Sequence, residues 1–115
     1  MSRLRRDSDY LADLHEAVRR IVAYTAELSY EQFLSDLKTQ DAVIRNLQVM
    51  GEAAKKLSPT VKRAHPYVPW KQMAGMRDRI VHEYFGVNYD IVWTVARDEL
   101  PSLLPQIVAI LGSEE

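Results

Sequence analysis

Apolar residues in this chain recur three and four positions apart, and no segment alternates convincingly between apolar and polar residues. The first spacing places side chains on one face of an α helix, whereas alternation would indicate a β strand. The pattern therefore predicts an all-α fold, an up-and-down bundle of four to five helices. In the first predicted helix, Ser8 to Leu28, the repeating residues are Leu11, Leu14, Val18, Ile21, Val22 and Thr25.

The other helix boundaries follow from prolines and glycines. Proline is tolerated in the first turn of a helix, and glycine favours its end. The segment from Pro59 to Pro69 contains three prolines in eleven residues, so we expect it to be the least regular part. The predicted helices run from about Gln40 to Leu57, from Pro69 or Trp70 to about Phe85 with Gly86 as the stop, and from Asn88 or Asp90 onward with a bend or restart at Pro101.

Length and composition exclude several classes of protein. The 115 residues fit one domain, which we place at residues 1–115. The absence of cysteine excludes disulfides and thiolate metal sites. The charged N-terminal sequence MSRLRRDSDY lacks the apolar run of a signal peptide. No apolar stretch approaches the roughly 20 residues of a membrane span, so we expect a cytoplasmic protein without a membrane partner.

The positive charge is concentrated in one segment. The net charge of the chain is −1, which does not indicate a general nucleic-acid binder. From Lys55 to Arg79, however, there are seven Lys or Arg and one acid, so this segment carries +6 and the remainder −7. Such a segment can attract a phosphate-bearing partner, or the rest of the fold can neutralise it.

The stretch MRDRIVHEYFG, residues 76–86, places many polar side chains in the predicted third helix. On a straight helix of about 100° per residue, Arg77 and Tyr84 lie within about 20° of each other, in the middle of the apolar stripe. A charged group is expected there only if it is paired or borders a site or an interface. Arg79 and Glu83 fall on the far side, four residues apart, as a solvated ion pair.

Asp78 and His82 are also four residues apart, so the predicted helix lets the carboxylate reach the imidazole. This contact favours the protonated ring, and it is equally typical of a structural pair near a helix end. Arg77 and His82 point about 140° apart and lie about 7.5 Å apart along the axis. Two copies of the helix about a twofold axis would bring both residue types into one composite cleft.

The sequence MRDRIVHEYFGVNYDIVW resembles the R-x4-H-x-Y signature of the HEPN superfamily, in particular the HepT-like toxins. Arg77, His82 and Tyr84 fit this spacing, and IRNLQVMGEAAKKLS is similar to the second helix of these proteins. The resemblance covers nearly the whole chain. Many members carry asparagine after the arginine, where this chain has Asp78.

The resemblance implies a HEPN fold and a homodimer with its motifs at the interface. It also implies a metal-independent endoribonuclease, the toxin of a type II/VII-like toxin–antitoxin module, without a cofactor. The partner implied is a minimal nucleotidyltransferase antitoxin, which silences the toxin by transferring AMP to the tyrosine that is Tyr84 here. A catalytically silent HEPN adaptor, which binds a nucleotide or a nucleotidyltransferase, is the alternative.

The side chains suit this chemistry. RNA supplies its own nucleophile, the 2′-hydroxyl group, so a protein need only move protons and stabilise negative charge. His82, with an ordinary pKa of about 6.5, is the expected proton-transfer group, and Asp78 supports it. Arg77 offers a forked cationic donor to the phosphate oxygens. Lys71 and Arg79 are candidate substrate-binding residues.

Overall fold

The computed structural model describes residues 6–82 and 86–114, and for His82 and Glu114 it describes the backbone alone. Within these ranges the chain is helical apart from short connections and one pairing of two-residue strands, which confirms the predicted all-α class. No helix of the described ranges is long and apolar enough to cross a membrane. The elements are α1 (Asp7–Thr25), α2 (Tyr30–Leu34), α3 (Leu37–Lys56), α4 (Pro59–Ala64), α5 (Trp70–Ala74), α6 (Met76–Ile80), β1 (Val81–His82), β2 (Gly86–Val87), α7 (Tyr89–Thr94), a π-helical segment (Val95–Glu99) and α8 (Leu100–Glu114).

The hydrophobic core lies where α1 packs against α3 and α8. The apolar stripe predicted for the first helix is buried, except that Val22 is half-buried at its edge, and the apolar stripe of the second predicted helix, Val43, Leu47, Met50 and Ala54, is buried on α3. Each fully buried aliphatic side chain contributes about 1.5–3 kcal/mol, so these stripes hold the bundle together. The buried residues are Leu11, Leu14, Ala17, Val18, Ile21 and Thr25 on α1, and Gln40, Val43, Asn46, Leu47, Met50, Gly51, Ala53 and Ala54 on α3.

The segment expected to be the least regular contains α4. Ser58 caps this short helix by accepting the backbone N–H of Val61, and Pro59 occupies its first turn. Ser58 also donates its N–H and its hydroxyl to the carboxylate of Asp7, at 2.9 and 2.7 Å. The start of α4 is thereby tied to the N-terminus of α1.

The helix from α7 to α8 is continuous, and the predicted disturbance at Pro101 takes the form of a π-helical segment just before it. The N–H of Leu100 donates to the carbonyl of Val95, five residues back. Pro101 has no N–H to donate to the carbonyl of Arg97, so the regular ladder is interrupted at this point. The wider π turn accommodates the interruption without a break in the helix.

The prediction of one third helix that reaches about Phe85 is wrong. Gly75 divides the helix into α5 and α6, and α6 ends at Ile80. Val81 has an extended backbone, with φ of −103° and ψ of 124°. The residue expected as the end of this helix, Phe85, lies outside the described residues.

An antiparallel strand pair explains the early end of the helix. Val81 pairs with Val87, and His82 pairs with Gly86. Gly86 has a φ of +74°, which glycine adopts without the steric penalty of a side chain. The N–H of Asn88 donates to the carbonyl of Ile80 at 2.7 Å, which anchors the returning strand. Two β-branched valines in extended conformation favour this pairing over a continued helix.

Candidate functional site

Arg77 lines a groove of about 310 Å³ between α3 and the pair α5–α6. The wall formed by α3 presents the exposed side chains of Arg45, Gln48 and Glu52. Ala74 and Arg77 form the opposite wall. The groove therefore combines two guanidinium groups with one carboxylate at the surface.

Gly51 controls the distance between the two walls. A Cβ atom at this position would lie 3.1 Å from the carbonyl oxygen of Met73 and 3.8 Å from that of Ala74. The shorter distance is tighter than a side-chain carbon normally makes with a backbone atom, so a glycine is needed for this close approach. The approach brings the end of α5, and Arg77 just after it, beside α3.

Arg77 is exposed, so the prediction that it lies in the middle of a buried stripe is wrong. That prediction counted Val81 and Tyr84 on a helix that in fact ends at Ile80. Without Val81 and Tyr84, the buried face of α5 and α6 is centred away from Arg77. The guanidinium makes no hydrogen bond or ion pair with the part of the chain that the structure describes. The buried residues of α5 and α6 are Trp70, Met73, Met76 and Ile80.

The helical contact predicted between Asp78 and His82 has no helix to support it. Asp78 is exposed on α6, whereas the backbone of His82 belongs to β1, beyond the last helical residue Ile80. The i, i+4 geometry of that prediction is therefore wrong, and the supporting role of Asp78 stays a prediction. The structure places the backbone of His82 opposite Gly86, at the end of the strand pair farther from α6. Tyr84, the expected modification site, lies outside the described residues.

Arg79 forms an ion pair with Glu99 of the π-helical segment. The predicted pair of Arg79 with Glu83 on one helix has no basis, because α6 ends at Ile80. Two guanidinium nitrogens donate to the two carboxylate oxygens, at 2.9 and 2.7 Å. These hydrogen bonds lower the pKa of Glu99 and raise the pKa of Arg79, against the effect of burial on each. The side chains are 38% and 42% exposed, so the pair contributes at most about 1 kcal/mol. Glu83 lies outside the described residues.

The two candidate substrate-binding residues differ in their surroundings. The donors of Arg79 are occupied by Glu99, whereas Lys71 is exposed on α5. Across residues 6–82 and 86–114, direct ion pairs do not neutralise the other cations of the basic segment. These unpaired cations are Lys55, Lys56, Lys62, Arg63, Lys71 and Arg77.

The groove suits a phosphate group because Arg77 has its donors unoccupied. Sequence reasoning missed the wall formed by Arg45, Gln48 and Glu52. Their spacing of three and four marks one face of α3, but a polar face alone does not indicate what it lies against. In the described ranges, no three His, Asp or Glu side chains are close enough together to hold a metal ion.

Comparisons with known proteins place the chain in a family. A family model described as "Ribonuclease HepT-like" matches residues 14–110. A protein of Thermococcus cleftensis named "Probable ribonuclease HepT" is 46% identical over 99 residues, which cover 86% of this chain and 90% of the relative. A "Putative RNase" of Methanocaldococcus jannaschii is 41% identical over 106 residues, which cover 92% of this chain and 88% of the relative.

A further "Putative RNase", from Caldanaerobacter subterraneus, is 39% identical over 106 residues, which cover 92% of this chain and 95% of the relative. No solved structure gives a significant match. The family match includes both walls of the groove and the residues Arg77 and His82. The chain belongs to the HepT-like ribonuclease family of the HEPN superfamily.

Proposed function

We propose that this protein is a metal-independent endoribonuclease and the toxin of a toxin–antitoxin module. The observation that carries the proposal is the exposed, unpaired guanidinium of Arg77 in its groove, five residues before His82. Membership in a ribonuclease family supports RNA as the substrate. The two guanidinium groups of the groove, Arg45 and Arg77, support a substrate with a phosphate backbone.

The proposed reaction is an attack of the RNA on its own backbone. The 2′-hydroxyl oxygen forms a bond to the adjacent phosphorus, and the bond from phosphorus to the 5′-oxygen breaks. His82 takes the proton from the 2′-hydroxyl or gives one to the leaving oxygen. Arg77 donates to the non-bridging phosphate oxygens, which gain negative charge in the transition state. The products are a 2′,3′-cyclic phosphate and a 5′-hydroxyl.

The complete site, in this proposal, is a composite of two subunits. One subunit supplies one Arg77 and one His82. Arg77 is exposed and lines the open groove. A second copy about a twofold axis adds another arginine and another histidine, and covers the groove. Exclusion of water by the second copy strengthens the attraction between guanidinium and phosphate.

A nucleotidyltransferase antitoxin is the proposed regulator, and Tyr84 is the proposed acceptor of AMP. Tyr84 follows His82 by two residues in the same motif. An AMP added to it would therefore bring a bulky anion next to the catalytic groups. With partner and ATP, we expect a mass gain of one AMP or more at Tyr84, and none in Tyr84→Phe. Modification of the exposed Tyr67, or of Tyr89, in that variant would contradict the assignment.

The ribonuclease proposal is tested by incubating RNA with the protein in EDTA. We expect cleavage by the wild type and a loss of about 100-fold or more in Arg77→Ala and in His82→Ala, because each removes a group that acts in the transition state. Arg63→Ala is the matched control, since Arg63 is an exposed arginine of the basic segment outside the groove. Equal trace cleavage by all four proteins would contradict the proposal, and RNA binding without cleavage would favour the silent adaptor.

A further inference from the structure

A cavity of about 340 Å³ opens between the pair α5–α6 and the helix formed by the π-helical segment and α8. We call it the α8 pocket. The Arg77 groove lies between α5–α6 and α3, and its wall on the helix pair consists of Ala74 and Arg77. The α8 pocket is lined instead by Met73 and Met76 of the same pair. A ligand in the α8 pocket would therefore contact the helices that carry Arg77, but from their other side.

The floor of the α8 pocket is apolar and adaptable. Its five apolar side chains are buried, and two of them are methionines, whose flexible thioethers adjust to a ligand and contact aromatic rings favourably. A cavity of about 150 Å³ holds one benzene ring, so the larger volume here suits a flat ligand of two fused rings. The floor residues are Met73, Met76, Val95, Leu100 and Leu103.

An aromatic side chain is held at the mouth of the pocket. Tyr67 lines the pocket and is 59% exposed. Its hydroxyl lies 3.2 Å from Nδ1 of His65, and the two rings pack edge to face with their centroids 5.9 Å apart. The ring of Tyr67 is thus oriented without being buried. An aromatic ligand can pack against it with little loss of side-chain freedom.

Gln106 of α8 supplies an acceptor that no group of the chain uses. Its side chain is half-buried and lines the pocket. Oε1 of Gln106 is buried and accepts no hydrogen bond, and among the side chains that the structure describes it is the only buried nitrogen or oxygen without a partner. Buried acceptors are nearly always paired, so this atom calls for a donor from outside the chain. The last torsion of a glutamine has a broad range, so rotation of the amide presents Oε1 to a ligand in the pocket.

The charges at the pocket are already satisfied. Of the described residues that line it, only Arg79 and Glu99 are charged, and two hydrogen bonds join them to each other. A charged ligand would have to compete with this pair, whereas a neutral ligand leaves it intact. The lining therefore favours a neutral ligand.

We propose that the α8 pocket binds a neutral, flat heterocycle whose ring carries an N–H donor. The ring packs on the methionines of the floor and against Tyr67, and its N–H donates to Oε1 of Gln106. This site is separate from the proposed site of RNA cleavage, since the α8 pocket and the Arg77 groove share no lining residue.

Nuclear magnetic resonance of the methionine methyl groups tests the proposal, with indole as the probe. Indole is neutral and bicyclic and has one ring N–H, and N-methylindole is the matched ligand without this donor. On titration with indole, we expect the signals of Met73 and Met76 to shift until the site is saturated. The signal of Met50, which is buried outside the pocket lining, should stay in place. We expect N-methylindole to bind at least about fivefold more weakly, because it leaves the acceptor of Gln106 unpaired.

Three variants assign the binding to particular side chains. Gln106→Leu removes the acceptor, so indole should lose its advantage over N-methylindole. Gln48→Leu makes the same change at an exposed glutamine of α3 outside the pocket, so it should keep that advantage. Tyr67→Ala removes the ring at the mouth and should weaken the binding of both probes by about threefold or more. Because Tyr67 is exposed, this variant carries the test if Gln106→Leu fails to fold.

Three results would overturn the proposal. The first is the absence of any shift at Met73 and Met76 with millimolar indole. The second is equal affinity of the wild type for indole and N-methylindole, which would exclude the assigned ligand class. The third is a shift at Met50 as large as those at the pocket, which would show that indole enters the core instead.

Discussion

Replacement of Gly51 by leucine should destabilise the protein and displace Arg77. The first side-chain carbon of the leucine would lie 3.1 Å from the carbonyl oxygen of Met73, whereas ordinary contacts begin at 3.4 Å. The atom it meets belongs to the backbone of α5, so a simple rotation of a side chain cannot relieve the contact. The rest of the leucine must also fit into a buried position between α3 and α5.

The expected magnitude follows from two opposing effects. Overpacking of a buried site costs about 1–3 kcal/mol. Leucine is a better helix former than glycine by close to 1 kcal/mol, so this gain offsets part of the cost. Because the contact is with backbone, the upper half of the overpacking range, about 2–3 kcal/mol, applies here. We therefore expect a net loss of about 1–2 kcal/mol, which lowers the melting temperature by roughly 5–10 °C.

Urea unfolding measures the loss, with Gly112→Leu as the matched control. A Cβ atom at Gly112 would meet no atom within 4 Å, so the same substitution on α8 should be neutral or slightly stabilising. Because α5 is pushed away from α3, Gly51→Leu should also reduce RNA cleavage under conditions in which it remains folded. A Gly51→Leu protein that is as stable as the wild type would refute the close-approach argument.

Two further predictions concern contacts between distant parts of the chain. Glu99→Gln should cost up to about 1 kcal/mol at pH 7, because it removes the charge that binds Arg79. The pKa of Glu99 is lowered from 4.5 in the folded state, so its contribution to stability is present above pH 4.5 and is lost as the pH falls through the folded value. The difference in the free energy of unfolding between wild type and Glu99→Gln should therefore close in acid. A gap that persists unchanged at pH 3 would contradict this. Asp7→Asn should cost about 1–2 kcal/mol in urea unfolding, because the charged acceptor of the two Ser58 hydrogen bonds is lost, whereas the exposed Asp98→Asn should have little effect.

The helices of the core could be predicted because their signal is local. The spacing of Leu11, Leu14 and Val18 states directly which face of α1 is buried. The end of α6 could not be predicted in this way, because MRDRIVHEYFG itself has the composition of a helix. The deciding interactions are the pairing of Val81 with Val87 and the positive φ of Gly86, which depend on residues that follow.

The site was only partly visible in the sequence. The motif identified Arg77 and His82. Their predicted arrangement assumed one straight helix through both residues, whereas the helix in the structure ends at Ile80. The partner of Arg79 is twenty residues away, so no local spacing could indicate Glu99. The groove wall on α3 depends on tertiary packing at Gly51, which a helical wheel of either helix alone does not contain.

The composite site is tested most directly by mixing two inactive variants. Arg77→Ala and His82→Ala are unfolded together, refolded as a mixture, and assayed for RNA cleavage in EDTA. Each mixed dimer keeps one Arg77 and one His82, on different subunits, so a cleft built by both subunits regains activity. Statistical mixing makes half of the dimers mixed, which restores roughly a quarter of wild-type activity if a mixed dimer is half as active as the wild type. A mixture that stays as inactive as its two parents, although mass spectrometry finds mixed dimers, would contradict the composite site.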